Sequence, residues 1–315
     1  MAKNDKRNRR KNAIILITIV IILLTLISIN LTLIFKVKDE NQKHKTFLKN
    51  NMEEENSSKK YTNEINEIKN KIKDLENIDS KTNETKLNYY KTLKKFEDKV
   101  YNKEVKYKIA YLTFDDGPYY TSYKFLDVLD RYNIKATFFT IGAGKSSCYD
   151  KHGYDCTKIY AEEAKRGHTL ANHTYSHAIF YGLYSSTNSF ISQVEKQQNL
   201  IKEKTGYTTN IVRFPGGSAT AGKLKNSIIT ELRKKGYGWV DWTAQDGDGG
   251  DLSNATTAMR NFTSSINDNI EVVLFHDYSE ITLSILPNAI EYLQQKGYVL
   301  LPLFYESRMV NKWFQ

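Results

Sequence analysis

The sequence predicts an α/β domain whose parallel strands close, or nearly close, into a barrel, and three observations predict it. From residue 106 onward, short apolar runs of strand length alternate with segments of helical period about seven times, and that alternation implies parallel strands joined by crossover helices. The polar residues that interrupt the pattern fall just behind the apolar runs, where parallel barrels gather their reactive groups. The chain is also long enough for one large domain with appendages, having 315 residues of which 40% are hydrophobic, so a substantial core can be buried.

Residues 1–12 form a basic head containing Lys3, Lys6, Arg7, Arg9, Arg10 and Lys11. The run Ala13–Phe35 that follows carries no charged residue. A helix of about 22 residues spans roughly 33 Å, enough for the hydrocarbon core of a bilayer. The expectation is a single-pass signal anchor at the cell membrane, with the head cytoplasmic and everything beyond Lys36 extracytoplasmic. A cleaved signal peptide would have a shorter apolar region ending in small residues, whereas this run ends Leu31-Thr-Leu-Ile-Phe-Lys36.

The formal net charge of +10 raises the question of nucleic acid, and its distribution answers it. Residues 1–35 carry 6 basic and 1 acidic side chains, residues 36–105 carry 17 and 14, and residues 106–315 carry 23 and 21. The large domain is nearly neutral, so no nucleic-acid partner is expected.

Residues 36–105 are rich in Lys, Glu and Asn and contain neither glycine nor proline. Ile65, Ile68, Ile72 and Leu75 follow helical spacing, and Tyr90, Leu93 and Val100 continue it loosely. The expectation is a partly helical stalk, with a pattern too short to specify a coiled coil or an oligomeric state.

In the domain at 106–315, the strands are expected at Ile109–Leu112, Lys135–Ile141, His168–Ala171, Asn210–Phe214, Tyr237–Trp242, Glu271–Phe275 and Tyr298–Leu303. The helices between them are expected at Phe125–Tyr132, Tyr160–Arg166, Ser189–Thr205, Ser227–Lys235, Thr256–Asn267 and Leu283–Lys296. The two cysteines, Cys148 and Cys156, share a polar loop; a disulfide between them is chemically allowed outside the membrane, and the spacing does not decide it.

Asp115 and Asp116 follow the first strand, His173 and His177 the third, Arg213 ends the fourth, and His276 with Asp277 follows Glu271–Phe275. Two imidazoles four residues apart can meet one cation, and with a carboxylate they give the open three-ligand set of a catalytic zinc-type site. That donor set suits Zn2+ and equally Co2+ or Ni2+. His44, His152 and His168 have plainer explanations in the tether, a loop and a strand edge.

Thr113-Phe-Asp-Asp-Gly-Pro118, His173-Thr-Tyr-Ser-His177, Arg213-Phe-Pro-Gly-Gly217 and Leu274-Phe-His276 resemble, in order, motifs of the polysaccharide deacetylase family, also called the NodB-homology domain or carbohydrate esterase family four. The resemblance covers residues 106–303. It implies a distorted (β/α) barrel of seven rather than eight strands that removes acetyl groups from N-acetylated sugars with one divalent metal ion. By matching position, Asp116, His173 and His177 are the implied metal ligands, Asp115 the general base and His276 the general acid. Arg213 would buttress the aspartate, and Gly216 would offer a backbone N–H to the oxyanion. Leu274 matches a residue lining the acetyl methyl pocket; Trp242 is expected as a pocket wall and Pro215 as a further substrate-binding residue.

The fourth motif departs from the family pattern. Counting from Trp242, the expected first aspartate falls on Gln245 and the second on Asp248, which leaves Asp241, Gln245 or Asp246 to receive Arg213. The expected substrate is an N-acetylglucosamine polymer of the cell envelope, peptidoglycan first, with chitin-like oligomers as the alternative. A non-catalytic glycan-binding barrel is the reading from a different class. The loops at 142–159 and 178–188, rich in Tyr, Ser and Gly, are expected to shape the groove and to offer aromatic faces to sugar rings.

Overall fold

The computed structural model describes residues 83–142 and 156–311, with four isolated positions nearer the N-terminus. The basic head, the expected span at 13–35 and the stalk up to residue 82, apart from those isolated positions, lie outside the described residues. No described helix is long and apolar enough to cross a membrane.

Eight parallel strands form the sheet: β1 (Lys108–Asp115), β2 (Thr137–Thr140), β3 (Thr169–Asn172), β4 (Ile211–Val212), β5 (Gly238–Trp239), β6 (Ala244–Gln245), β7 (Ile270–His276) and β8 (Tyr298–Leu301). Seven lie on one path in the order β5-β4-β3-β2-β1-β7-β6, and β8 pairs with β1 off that path. One edge of β1 is shared: Lys108–Tyr111 pairs with β8 and Thr113–Asp115 with β2. Its other edge pairs with β7 over Ile109–Asp115.

The run expected as one strand, Tyr237–Trp242, is broken. Its first part is β5, which pairs with β4, and the chain then crosses to β6, which pairs with β7. Among the described residues no ladder joins β5 to β6, so the barrel is open at that seam. A two-residue strand such as Ala244–Gln245 carries no alternation to read, which is why sequence did not anticipate it.

The helices are α1 (Asn83–Tyr101), α2 (Ser122–Arg131), α3 (Thr157–Lys165), α4 (Thr187–Thr205), α5 (Lys225–Lys234), α6 (Ala255–Ser265) and α7 (Glu280–Gln295). Local signals fix several ends. Ser186, Asn254 and Ser279 accept backbone N–H groups at the starts of α4, α6 and α7, satisfying donors that the helix leaves unpaired. Gly206 ends α4 at φ +83.

Alternation along the strands sorts the core into two layers. Ile109, Tyr111, Phe139, Ala171 and Val272 pack together on one face. Ala110, Leu112, Phe114, Phe138 and Phe275 face the other way, against Phe125 and Leu129 of α2 and Leu286, Ile290 and Leu293 of α7. Thr113 and Asp115 continue the Tyr111 face toward the C-terminal end of the sheet, and Leu274 and His276 continue that of Val272.

Helix α1 falls within the segment expected to be stalk, yet Leu93, Phe96 and Val100 are buried in the Tyr111 cluster. Glu97 is fully buried as well, accepting the Tyr111 hydroxyl and the Arg308 backbone N–H. Folded packing therefore begins before residue 106. Cys156 is buried and disulfide-bonded; Cys148, the chain's other cysteine, lies outside the described residues.

Candidate active site

Three strand ends bring the polar residues together. Asp115 closes β1 and lies opposite His276 at the end of β7 in the parallel register, which sets a carboxylate and an imidazole side by side. Asp116 turns away from the strand at φ +69, and His177, after β3, lies at φ +50. Such conformations are unfavourable for residues with a Cβ and collect at functional sites.

Asp116, His173 and His177 each offer one ligand atom, all within 4.8 Å of one another. His173 Nε2 and His177 Nε2 lie 3.5 and 3.4 Å from Asp116 Oδ1. His173 Nδ1 sits 2.9 Å from the Arg213 carbonyl; a carbonyl only accepts, so Nδ1 carries the proton and Nε2 presents a lone pair. Burial lowers the His173 pKa to about 3, which keeps the ring neutral. Among the described residues, Asp116 Oδ1 is buried with no hydrogen-bond partner. An orphaned carboxylate oxygen facing an imidazole lone pair is costly unless a cation lies between them, so these residues fit a divalent metal ion of the zinc type.

Arg213 is wholly buried and underlies the Asp115 carboxylate. Its Nη1 donates to Asp115 Oδ1 at 2.8 Å and to the Thr113 hydroxyl at 2.7 Å, and its guanidinium lies 4.0 Å from the centre of the Phe139 ring. The aspartates expected as its side-chain partners do something else, which corrects that expectation. Arg213 Nε and Nη2 donate to the main-chain carbonyls of Val240 and Asp241, groups at the seam between β5 and β6. The Asp241 carboxylate instead accepts the backbone N–H and hydroxyl of Ser218. Asp246 is turned toward Thr282, and Gln245 is exposed.

Burial raises the Asp115 pKa, opposed by the charges of Arg213 and His276. Its Oδ1 is held by Arg213, while Oδ2 faces His173 Nε2 at 3.5 Å. On the other side, His276 Nδ1 lies 2.6 Å from Asp248 Oδ1, and His276 Nε2 lies 3.8 Å from Asp116 Oδ2. Burial alone would lower the His276 pKa; the hydrogen bond and charge of Asp248, with the charges of Asp116 and Asp115, outweigh it and raise the pKa to about 9. The ring is thus protonated at neutral pH.

Around these groups, Leu274 is buried on the His276 face of β7, and Pro215 is buried with its carbonyl accepting the Tyr184 hydroxyl. Half-buried Trp242 packs against the core and 5.9 Å from the Arg213 guanidinium; a Cβ on Gly217, whose φ is +83, would meet its ring. Gly216 is exposed at φ +70. Beyond His177, the Ile179 side chain reaches Gly216, and the next two residues, Phe180 and Tyr181, are each 90% exposed.

Two participants were not assigned from the sequence. Asp248 was matched to the fourth motif without a role, and it is the residue that holds His276. Asp277 was only noted; it is fully buried, accepts the Ser122 hydroxyl, and occupies the space that a Cβ on Gly117 would need. Burial raises its pKa to about 7.

The family described as Polysaccharide deacetylase matches residues 102–238. The chain is 35% identical to the solved catalytic domain of peptidoglycan N-acetylglucosamine deacetylase from Eubacterium rectale, over 64% of this chain and 91% of that one, with a TM-score of 0.58. It is 29% identical to a peptidoglycan-N-acetylglucosamine deacetylase of Bacillus cereus, over 65% of this chain and 73% of the relative. It is 30% identical to the putative polysaccharide deacetylase YheN of Bacillus subtilis, over 61% of this chain, and spans 65% of that relative's length.

Proposed function

Because the chain belongs to the polysaccharide deacetylase family, we propose that it hydrolyses the N-acetyl group of N-acetylglucosamine-type residues in a cell-envelope polysaccharide, peptidoglycan first, giving acetate and a free amine. The observation that carries this reading is the orphaned Asp116 oxygen between two imidazoles, flanked by the buried Asp115 carboxylate and by His276 held on Asp248. The resemblance of the domain to peptidoglycan deacetylases supports the choice of glycan. The uncharged run at 13–35 supports a membrane anchor with the domain outside.

Asp116, His173 and His177 would hold a divalent metal ion, Zn2+ or else Co2+ or Ni2+. When bound, such an ion polarises the acetyl carbonyl and makes the attacking water more acidic. Asp115, with Oδ1 fixed by Arg213, takes the water's proton on Oδ2. The Gly216 N–H is the donor suited to the negative charge that develops on the carbonyl oxygen. His276 carries its transferable proton on Nε2, because Nδ1–H is committed to Asp248, and gives it to the departing amine. Leu274, Trp242 and Pro215 wall the pocket.

Acetate release from purified cell wall and from chitooligosaccharides, with and without chelator, tests this. Release that stops with chelator and returns with added metal is expected. No release from any acetylated glycan would favour a glycan-binding module, and release indifferent to chelation would remove the metal.

Phe180 and Tyr181 present aromatic faces beside the site, three and four residues beyond His177, and support a polymeric substrate whose sugar rings stack on them. Replacing both by alanine is expected to raise KM for wall polymer about tenfold, in line with roughly 0.5–1.5 kcal/mol for an aromatic contact, while activity on a single N-acetylated sugar stays unchanged. Equal KM for the polymer would exclude that platform.

A further inference from the structure

Asp246 lies behind the His276–Asp248 pair and is wholly buried. Its Oδ1 accepts the Asp248 backbone N–H at 3.1 Å, and its Oδ2 lies 2.8 Å from Thr282 Oγ1. The same hydroxyl lies 2.7 Å from Asp248 Oδ2 and 2.9 Å from Ser279 Oγ. A hydroxyl has one proton to give and two lone pairs. Asp248 also accepts both the backbone N–H and the ring Nδ1–H of His276, so it acts as an acceptor throughout and receives the Thr282 proton. Ser279 can fill one lone pair of Thr282. That leaves Asp246 Oδ2 facing the other lone pair at hydrogen-bond distance, an arrangement that a proton on Asp246 satisfies.

We infer that Asp246 is a positioning residue that holds a proton below neutrality and, through Thr282, then keeps one negative charge rather than two behind the general acid. The chain runs from Asp246 Oδ2–H to Thr282, from the Thr282 hydroxyl to Asp248 Oδ2, and from His276 Nδ1–H to Asp248 Oδ1. No proton moves along it in turnover. The charged or titratable groups facing Asp246 in this network are Asp248 on its own segment and, through Asp248, His276 at the end of β7; α7 presents only the hydroxyls of Thr282 and Ser279, and α6 only the Asn261 amide, on the Asp246 carbonyl. Burial, and then the nearby Asp248, raise the Asp246 pKa to about 7. Once ionised, Asp246 would add a second charge that makes His276 a weaker acid and would compete with Asp248 for the single Thr282 proton.

The test rests on the deacetylase reading for its first arm and not for its second. In the first, kcat is measured against pH with cell wall as substrate. Asp246→Asn keeps a neutral donor to Thr282, so its ratio of kcat at pH 8 to pH 6 should exceed that of the unmodified protein by up to about tenfold, the range over which a group titrating near neutrality changes occupancy. Thr282→Val should lower kcat roughly tenfold at unchanged KM, in the range for a disturbed acid–base group, and Thr282→Ser should restore it. Superimposable pH profiles for Asp246→Asn and the unmodified protein, or an unaltered kcat in Thr282→Val, would overturn the inference.

The second arm is thermal unfolding of the unmodified protein and Asp246→Asn. A carboxyl whose folded pKa is raised contributes stability that is complete below its unfolded pKa and lost as pH rises through the folded one. The Tm of the unmodified protein relative to Asp246→Asn should therefore fall between pH 4 and about pH 7. A difference in Tm that does not vary over that window would show that Asp246 holds no proton. Absence of acetate release by the unmodified protein would instead count against the functional reading, with the unfolding result still deciding the proton.

Discussion

Asp115→Asn is expected to lower kcat about 10²- to 10⁴-fold, the range that general acid–base catalysis supplies, with KM changed far less. The amide has nearly the shape of the carboxylate, but it cannot accept the water's proton. It also turns an ion pair into a neutral contact: Arg213 is wholly buried, stays charged in any protein environment, and would keep only uncharged acceptors, the amide oxygen at 115, the Thr113 hydroxyl and the carbonyls of Val240 and Asp241. Leaving a buried charge without its counter-ion costs roughly 3–5 kcal/mol, so the melting temperature should fall together with the rate. A variant that keeps full activity would remove Asp115 from its role as base.

His173→Ala should lower affinity for Zn2+ by well over the roughly 10- to 100-fold typical when only an outer partner of a metal ligand is lost, and acetate release should fall with it. The residue presents Nε2 because Nδ1–H is tied to the Arg213 carbonyl, so no neighbouring side chain can take its place without the same tether. Metal content of the purified protein and equilibrium dialysis read this directly. His168→Ala is the matched control: His168, just before β3, accepts on Nδ1 the backbone N–H of Ala136, just before β2, and its loss should lower stability with metal content unaltered. Retention of one equivalent of metal by His173→Ala would sink the three-ligand arrangement.

How far the fold could be read depended on strand length. β1 and β7 are seven or eight residues of nearly continuous burial and stand out as apolar runs, whereas β4, β5 and β6 are two residues each and owe their pairing to neighbours distant in the chain. Among site residues, the strand-end aspartates and histidines were legible because polar groups behind an apolar run are conspicuous. The partners of Arg213 were not, since two of them are main-chain carbonyls freed at the seam, and every residue type has a carbonyl. Asp248 could be matched by its distance from Trp242, whereas Asp241 and Asp246 could not be told apart in sequence; their contacts, to Ser218 and to Thr282 of α7, separate them. Helix α1 misled for a third reason. Its charged residues suit a tether, and only Leu93, Phe96 and Val100, placed one turn apart, reveal a face that packs.

That helix bears on where the folded unit can be cut. A recombinant fragment starting at residue 106 would uncover Tyr111, strip the acceptor from its phenol and from the Arg308 amide, and expose to water the apolar side chains that Leu93, Phe96 and Val100 cover. Expression trials should start upstream of Asn83, and fragments begun later should precipitate or melt early even though every chemically active side chain is still aboard.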